Sequence, residues 1–131
     1  MNHSDFDYLL GMKYIALFLC PLLALGACKK ETNRPMMRIV SPLNNQVFAS
    51  GETVYIRGTI SDDTQIHDLH MTITNTSTGT QMMHLDEHLD TQLYTLDQSF
   101  IAQAGNTYTI KIEADDHASN TTGIQLVVSA Q

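Results

Sequence analysis

The chain has 131 residues and a formal net charge of −7, with 14 acidic side chains against 7 lysines and arginines. This excess of acidic residues disfavours nucleic acid and anionic lipid headgroups as partners, because both carry negative charge. The only two cysteines are Cys20 and Cys28, so the sequence after them has no cysteine with which to form a disulfide. We expect the folded part to depend on its apolar core alone.

A short apolar segment, residues 14–25, precedes the second cysteine. It falls well short of the roughly 20 residues that a membrane-spanning helix needs, and Lys13 stands before it as a basic flank stands before the apolar part of a signal peptide. We therefore interpret residues 1–27 as a signal peptide. Asp5 and Asp7 lie in a stretch before Met12 that has no lysine or arginine, which favours Met12 as the true start.

The apolar segment ends in Leu25-Gly26-Ala27-Cys28, which resembles the lipobox of bacterial lipoproteins. The resemblance implies cleavage before Cys28 and acylation of its sulfur and its amine, so that acyl chains hold the protein on a membrane. Lys29 follows the cysteine, and by the same resemblance this implies sorting to the outer membrane. Residues 28–37 would then be the lipidated cysteine and a polar tether, and residues 38–131 a single domain.

From residue 38 onward, apolar and polar side chains alternate with a period of two, as in strands with one buried face. In residues 53–60, for example, Val54, Ile56 and Ile60 alternate with polar neighbours. The alternative for residues 84–90 is a helical turn, because His84 and His88 are spaced i, i+4. Turn-forming residues separate the runs, and strands are predicted near residues 38–41, 46–49, 53–60, 67–74, 81–89, 92–101, 107–114 and 122–129.

Two blocks, IVSPLNNQVFASGETVYIRGTISDD and GNTYTIKIEADDHASNTTGIQLVV, resemble single immunoglobulin-like or fibronectin-III-like domains of bacterial surface and periplasmic lipoproteins. The resemblance implies an all-β, antiparallel β-sandwich of seven or eight strands. Ser119 departs from it, since such domains commonly have glycine before the residue equivalent to Asn120. Tyr108 stands at the place of a tyrosine corner, although an ordinary core tyrosine is an equally good interpretation.

No serine-hydrolase elbow, phosphate loop or zinc-protease motif is present, so we expect no catalytic activity and no required cofactor. The resemblance implies instead a module that presents loops or an edge strand to a protein or glycan partner in the cell envelope. A metal-binding lipoprotein is the rival interpretation, and two sets of residues motivate it.

The first set comes from the loops at one pole of such a sandwich, where the loop after the second strand meets the loop before the last strand. Carboxylate and amide oxygens suit calcium, although aspartate is also simply a good turn residue. The predicted calcium residues are Asp62, Asp63, Asp115, Asp116 and Asn120.

The second set follows from a hairpin whose turn is centred on Ser77. In that register His70 lies opposite His84 and Asp68 lies opposite Asp86, at cross-strand contact distance. Imidazoles and carboxylates on one rigid face suit zinc or copper, whereas the alternative is the solvated face of an amphipathic hairpin. The predicted metal residues on this outer face are Asp68, His70, His84, Asp86 and His88.

Overall fold

The computed structural model describes residues 31–131, which contain only strands and connecting turns. None of these residues forms a helix long and apolar enough to cross a membrane. The predicted signal peptide, Cys28 and the first residues of the predicted tether lie outside the described part. The strands are Met36–Ser41 (β1), Gln46–Phe48 (β2), Thr53–Asn75 (β3), Thr80–Ile101 (β4), Thr107–Asp116 (β5) and Thr121–Ala130 (β6).

Two long strands, β3 and β4, each contribute to both layers of a β-sandwich. In the first layer, residues 53–61 of β3 pair with β1 on one side and with residues 93–101 of β4 on the other. In the second layer, residues 66–75 of β3 pair with residues 80–91 of β4 and with β5, which continues to β6 and then to β2. Every pairing is antiparallel except β2 with β6, so the predicted antiparallel sandwich is confirmed.

The predicted strand positions agree with the structure, but several boundaries differ. Residues 53–60 and 67–74 belong to one continuous strand, as do residues 81–89 and 92–101. Register shifts between Ser61 and Asp68 interrupt the β3–β4 pairing, as expected where bulges bend a strand from one layer into the next. The helical alternative at residues 84–90 is wrong, because this segment is strand. β1 begins at Met36, inside the predicted tether.

The core lies between the layers and is built from the inward positions of the alternating strands. Val54, Ile56 and Ile60 from the first layer are fully buried, and so are Leu69, Met71 and Ile73 from the second. Burying a large aliphatic side chain contributes about 1.5–3 kcal/mol. Strand alternation therefore supplies the apolar burial that holds this disulfide-free domain together.

Tyr108 forms a tyrosine corner at the start of β5. Its ring is fully buried and contacts Phe100 edge-on, with 4.9 Å between the ring centroids. Its hydroxyl oxygen accepts a hydrogen bond of 2.9 Å from the backbone N–H of Gln103, five residues upstream. A hydrogen bond between the tyrosine hydroxyl and an upstream backbone group distinguishes a tyrosine corner from an ordinary core tyrosine. The tyrosine-corner prediction is therefore confirmed.

The turn between β5 and β6 contains Ser119, the residue that stands where the sequence comparison led us to expect glycine. Ser119 has a φ of 65°, which lies in the left-handed region that glycine adopts most easily. The turn is held by Asp116, whose Oδ1 accepts hydrogen bonds from the backbone N–H groups of Ala118 and Asn120, at 2.8 Å each. Ser119 thus keeps the conformation for which related domains use glycine.

Candidate functional site: a histidine and aspartate surface

The outer face of the second layer carries the predicted histidines and aspartates, but their pairing differs from the prediction. His70 lies opposite Asp86, Asp68 opposite His88, and His84 opposite Thr72. The predicted pairing of His70 with His84 and of Asp68 with Asp86 is wrong for two reasons. The turn is centred between Ser77 and Thr78 and not on Ser77, and Met82 is an extra residue in β4 that shifts the pairing by one more position. The total displacement is two residues, which preserves the face, so all five side chains still lie on one surface.

The first group on this surface centres on Asp86. Its Oδ1 lies 2.6 Å from Nδ1 of His70, and its Oδ2 lies 2.7 Å from Nε2 of His84. The hydrogen bond with Asp86 raises the pKa of His70 above its ordinary value. The same bond lowers the pKa of Asp86, with a further contribution from His84. The carboxylate therefore bridges an imidazole of its own strand, His84, and one across the hairpin, His70.

A second group lies nearer the pole and centres on Asp90. Its Oδ2 lies 3.0 Å from Nε2 of His88, and its Oδ1 lies 2.8 Å from Nε2 of His117. The other nitrogen of His88, Nδ1, lies 2.9 Å from Oδ1 of Asp68. The ring of His67 sits between those of His88 and His117, at centroid distances of 4.4 and 4.2 Å.

The charges in this second group favour the ionised carboxylates of Asp68 and Asp90 and the protonated form of His88. The hydrogen bond with Asp68 raises the pKa of His88, and the same bond lowers the pKa of Asp68. For Asp90, partial burial opposes ionisation, but the charge of His88 and the nearby imidazoles of His67 and His117 outweigh it and lower its pKa. All five histidines of residues 31–131 belong to these two groups.

Three members of the second group, His67, Asp90 and His117, were not predicted from the sequence. Asp90 continues the alternating series of His84, Asp86 and His88, and that series was a usable signal. Its φ of 48° marks a break in the regular strand. His67 lies at the register shift in β3, and His117 lies in the β5–β6 turn. His67 and His117 are distant in sequence and are brought together only by the topology at this pole of the sandwich.

The predicted calcium residues are spread over several local arrangements. Asp62 accepts hydrogen bonds from the backbone and hydroxyl of Thr64, at 2.9 and 2.6 Å, and Asp63 accepts one from Asn33. Asp116 is buried and holds the β5–β6 turn, with its Oδ2 2.7 Å from the Asn120 amide. Burial opposes its ionisation, but hydrogen bonds from Asn120 and Ala118 outweigh this effect and lower its pKa.

Potential metal ligands converge elsewhere on the domain. Within residues 31–131, three groups have ligand atoms that all lie within 4.8 Å of one another, and none contains Asp62, Asp63 or Asp116. Calcium binding at the pole stays a prediction. The three groups are His67, Asp90 and His117; His67, Asp68 and His88; and Asp68, His70 and Asp115.

Comparison with a protein-family model agrees with this architecture. The sandwich, its tyrosine corner and its two-layer strands define an immunoglobulin-like domain. Residues 35–125 match the family model of the bacterial Ig domain, so the chain belongs to that family. Among solved structures, fibronectin(III)-like modules of CbhA from Clostridium thermocellum are similar, with 18% identity and a TM-score of 0.45 over 72% of this chain and 94% of that chain. No curated protein matches the chain.

The pair of His70 and Asp86 predicts a specific dependence of stability on pH. Because the folded state raises the pKa of His70, its stabilisation is complete below about pH 6.5 and is lost as the pH rises through the raised value. Because the folded state lowers the pKa of Asp86, its stabilisation is present above about pH 3.9 and is lost in acid. We expect the metal-free domain to be most stable between these limits.

Urea unfolding measured from about pH 5 to about pH 8 tests this dependence, because this range spans the ordinary histidine pKa of about 6.5. Asp86→Asn should reduce the loss of unfolding free energy above neutrality, with the raised pKa of His88 accounting for what remains. Asp97→Asn is the matched control, because Asp97 pairs with Arg57 at 2.9 Å and not with a histidine. Equal slopes for both variants would contradict the assignment to His70.

Proposed function

We propose that the chain is a non-catalytic, lipid-anchored binding or structural module of the cell envelope, which presents an edge strand or loops to a protein or glycan partner. Membership of the bacterial Ig domain family supports a module of this kind. The sequence also lacks a serine-hydrolase elbow, a phosphate loop and a zinc-protease motif, and the family model that it matches is that of an Ig domain. The observation that carries the binding role is the exposed edge strand β1.

β1 is at one end of the strand order, where it pairs with β3 on one side only. Its outward side chains include Met36 and Val40, which are 72% and 57% exposed. Leu93 and Ile101, at the two ends of the first-layer part of β4, are 61% and 59% exposed. An unpaired strand edge offers backbone hydrogen bonds to an added strand, and neighbouring apolar side chains give selectivity.

The proposed anchor is Cys28 in the lipobox-like sequence Leu25-Gly26-Ala27-Cys28. Each buried methylene of an acyl chain contributes about 0.8 kcal/mol, and two chains suffice for stable anchoring. Lys29 supports an outer-membrane destination, by the resemblance to lipoproteins. The predicted metal ligands and calcium residues are not needed for this role.

One cell-based experiment tests both the anchor and the edge. The full chain, with a photo-crosslinking amino acid at Val40, is expressed in a bacterium with an outer membrane and fed an alkyne fatty acid. We expect a labelled chain in the outer-membrane fraction that forms one discrete adduct on irradiation. Cys28→Ser should lose the label and the membrane fraction, whereas Cys20→Ser should keep both.

The matched control carries the crosslinker at Gln125, an exposed position on the outer face of the second layer. This control should be labelled and anchored equally but give no adduct. An unlabelled wild-type chain would disprove the anchor. Identical adduct patterns at Val40 and Gln125 would disprove recognition through β1.

A further inference from the structure

We propose that His67, Asp90 and His117 form a binding site for one divalent transition-metal ion, with zinc as the best-suited metal. The three side chains come from β3, β4 and the β5–β6 turn, and their ligand atoms lie within 4.8 Å of one another. Two imidazole nitrogens and one carboxylate oxygen are a ligand set that zinc commonly takes, with a fourth position for water. This site is independent of the proposed membrane anchor and of the edge strand.

The distances between ligand atoms suit a tetrahedral ion. With metal bonds of about 2.0–2.2 Å, two ligands of a tetrahedral zinc ion lie about 3.3–3.6 Å apart. Nδ1 of His67 lies 3.6 Å from Oδ1 of Asp90, which matches this spacing. Nε2 of His117 lies closer to the same oxygen, at 2.8 Å. A movement of less than about 1 Å by the exposed His117 would admit the ion.

His67 supplies the observation that points most directly to a ligand. Its Nδ1 atom is buried and has no hydrogen-bond partner within residues 31–131. The distance of 3.6 Å to Oδ1 of Asp90 is too long for a hydrogen bond, and a buried polar atom without a partner costs free energy. A metal ion between Nδ1 and Asp90 would give this nitrogen the partner that it lacks.

His88 acts as a positioning residue for Asp90. It lies 3.0 Å from Oδ2 of Asp90 through Nε2, and 2.9 Å from Asp68 through Nδ1. These contacts hold one oxygen of Asp90 and leave the other directed at His67 and His117. Outer contacts that orient metal ligands in this way are a regular feature of protein metal sites.

The two overlapping groups are weaker candidates. His88 and Asp68 already satisfy each other with a short hydrogen bond, and His70 is held by Asp86 at 2.6 Å. Binding there would break these bonds. Binding at the proposed site would open the contact between His117 and Asp90 but would give the unpaired Nδ1 of His67 a partner. Calcium suits the site poorly, because two of the three ligands are imidazoles and calcium prefers oxygen.

Zinc titration of the full chain tests the site. The protein is purified in detergent without an affinity tag, stripped with a chelator, and titrated with zinc alone at neutral pH by calorimetry and native mass spectrometry. We expect one zinc ion that is absent from the double variant His67→Gln/His117→Gln. Each single variant should weaken zinc binding at least tenfold, and zinc should raise the melting temperature only in the wild type.

His84→Gln is the matched control, because His84 lies on the same surface but contacts Asp86 instead of the site. It should bind zinc as the wild type does. The site is disproved if the double variant retains the wild-type stoichiometry and affinity, if wild type binds no zinc, or if only Asp68→Asn and His88→Gln abolish binding. Should His67→Gln not fold, His117→Gln decides the outcome, because His117 lies in an exposed turn.

Discussion

Replacing Gly58 with alanine is expected to destabilise the domain by about 3 kcal/mol, at the upper end of the range for overpacking a core. Gly58 is in β3 and faces the interior, where Ile39 of β1 packs over it. A Cβ atom at this position would lie 2.5 Å from the backbone oxygen of Arg38 and 2.8 Å from Cδ1 of Ile39. The nearest obstacle is therefore the backbone of a paired strand, which cannot move without disturbing the β1–β3 ladder.

Gly123→Ala is the matched control, because Gly123 is also a strand glycine without a positive φ. Its added Cβ would first meet Cγ of Glu113 at 3.1 Å, and that side chain is flexible. We expect a change of less than about 1 kcal/mol in this variant. Urea unfolding of both variants provides the measurement. Equal losses of stability would show that the close approach of β1 to Gly58 does not cause the destabilisation.

The Gly58 result also bears on the proposed binding edge. If the strain is relieved by release of β1, hydrogen exchange should show lost protection in β1 and retained protection in β5. The same variant should then lose the adduct at Val40, because the edge would no longer be in place. A cooperative loss over the whole domain would show instead that β1 is an integral part of the fold.

Local alternation was enough to predict the strands and the faces of their side chains. Val54, Ile56 and Ile60 were expected on the buried face of their strand, and all three are fully buried. Alternation does not determine pairing, because any shift by two residues preserves the faces. The exact centre of the turn and the extra residue Met82 left no sequence signal, so the outer face was predicted correctly and the partners of His70 and Asp68 were not.

The candidate metal site depended on contacts that are distant in sequence. His67 reaches Asp90 because β3 and β4 are paired, and His117 reaches it because β5 follows β3 in the second layer. The positive φ of Asp90 is equally invisible to a pattern of alternating residues. A search restricted to this hairpin found His88 and Asp68, which surround the site, and could not include His117, which lies outside the hairpin. It missed His67 and Asp90 because they lie at irregular positions of their strands.

Removing the side chain of Tyr108 is expected to have an effect as large as that of Gly58→Ala. Tyr108→Ala should cost about 3–5 kcal/mol, because it leaves a cavity beside Phe100. Tyr108→Phe keeps the ring and should cost about 1–2 kcal/mol, because the backbone N–H of Gln103 loses its acceptor in a partly buried place. The difference between the two variants separates the packing of the ring from the hydrogen bond of the corner.

Tyr55→Phe is the matched control for the hydroxyl. Tyr55 is 45% exposed and its ring lies under the guanidinium of Arg57 at 4.3 Å, a contact that phenylalanine retains, so we expect its stability to change by less than about 0.5 kcal/mol. Chemical unfolding of the three variants gives the comparison. If Tyr108→Phe were as stable as the wild type, water would be reaching the Gln103 N–H, and the corner would owe its stability to the buried ring alone.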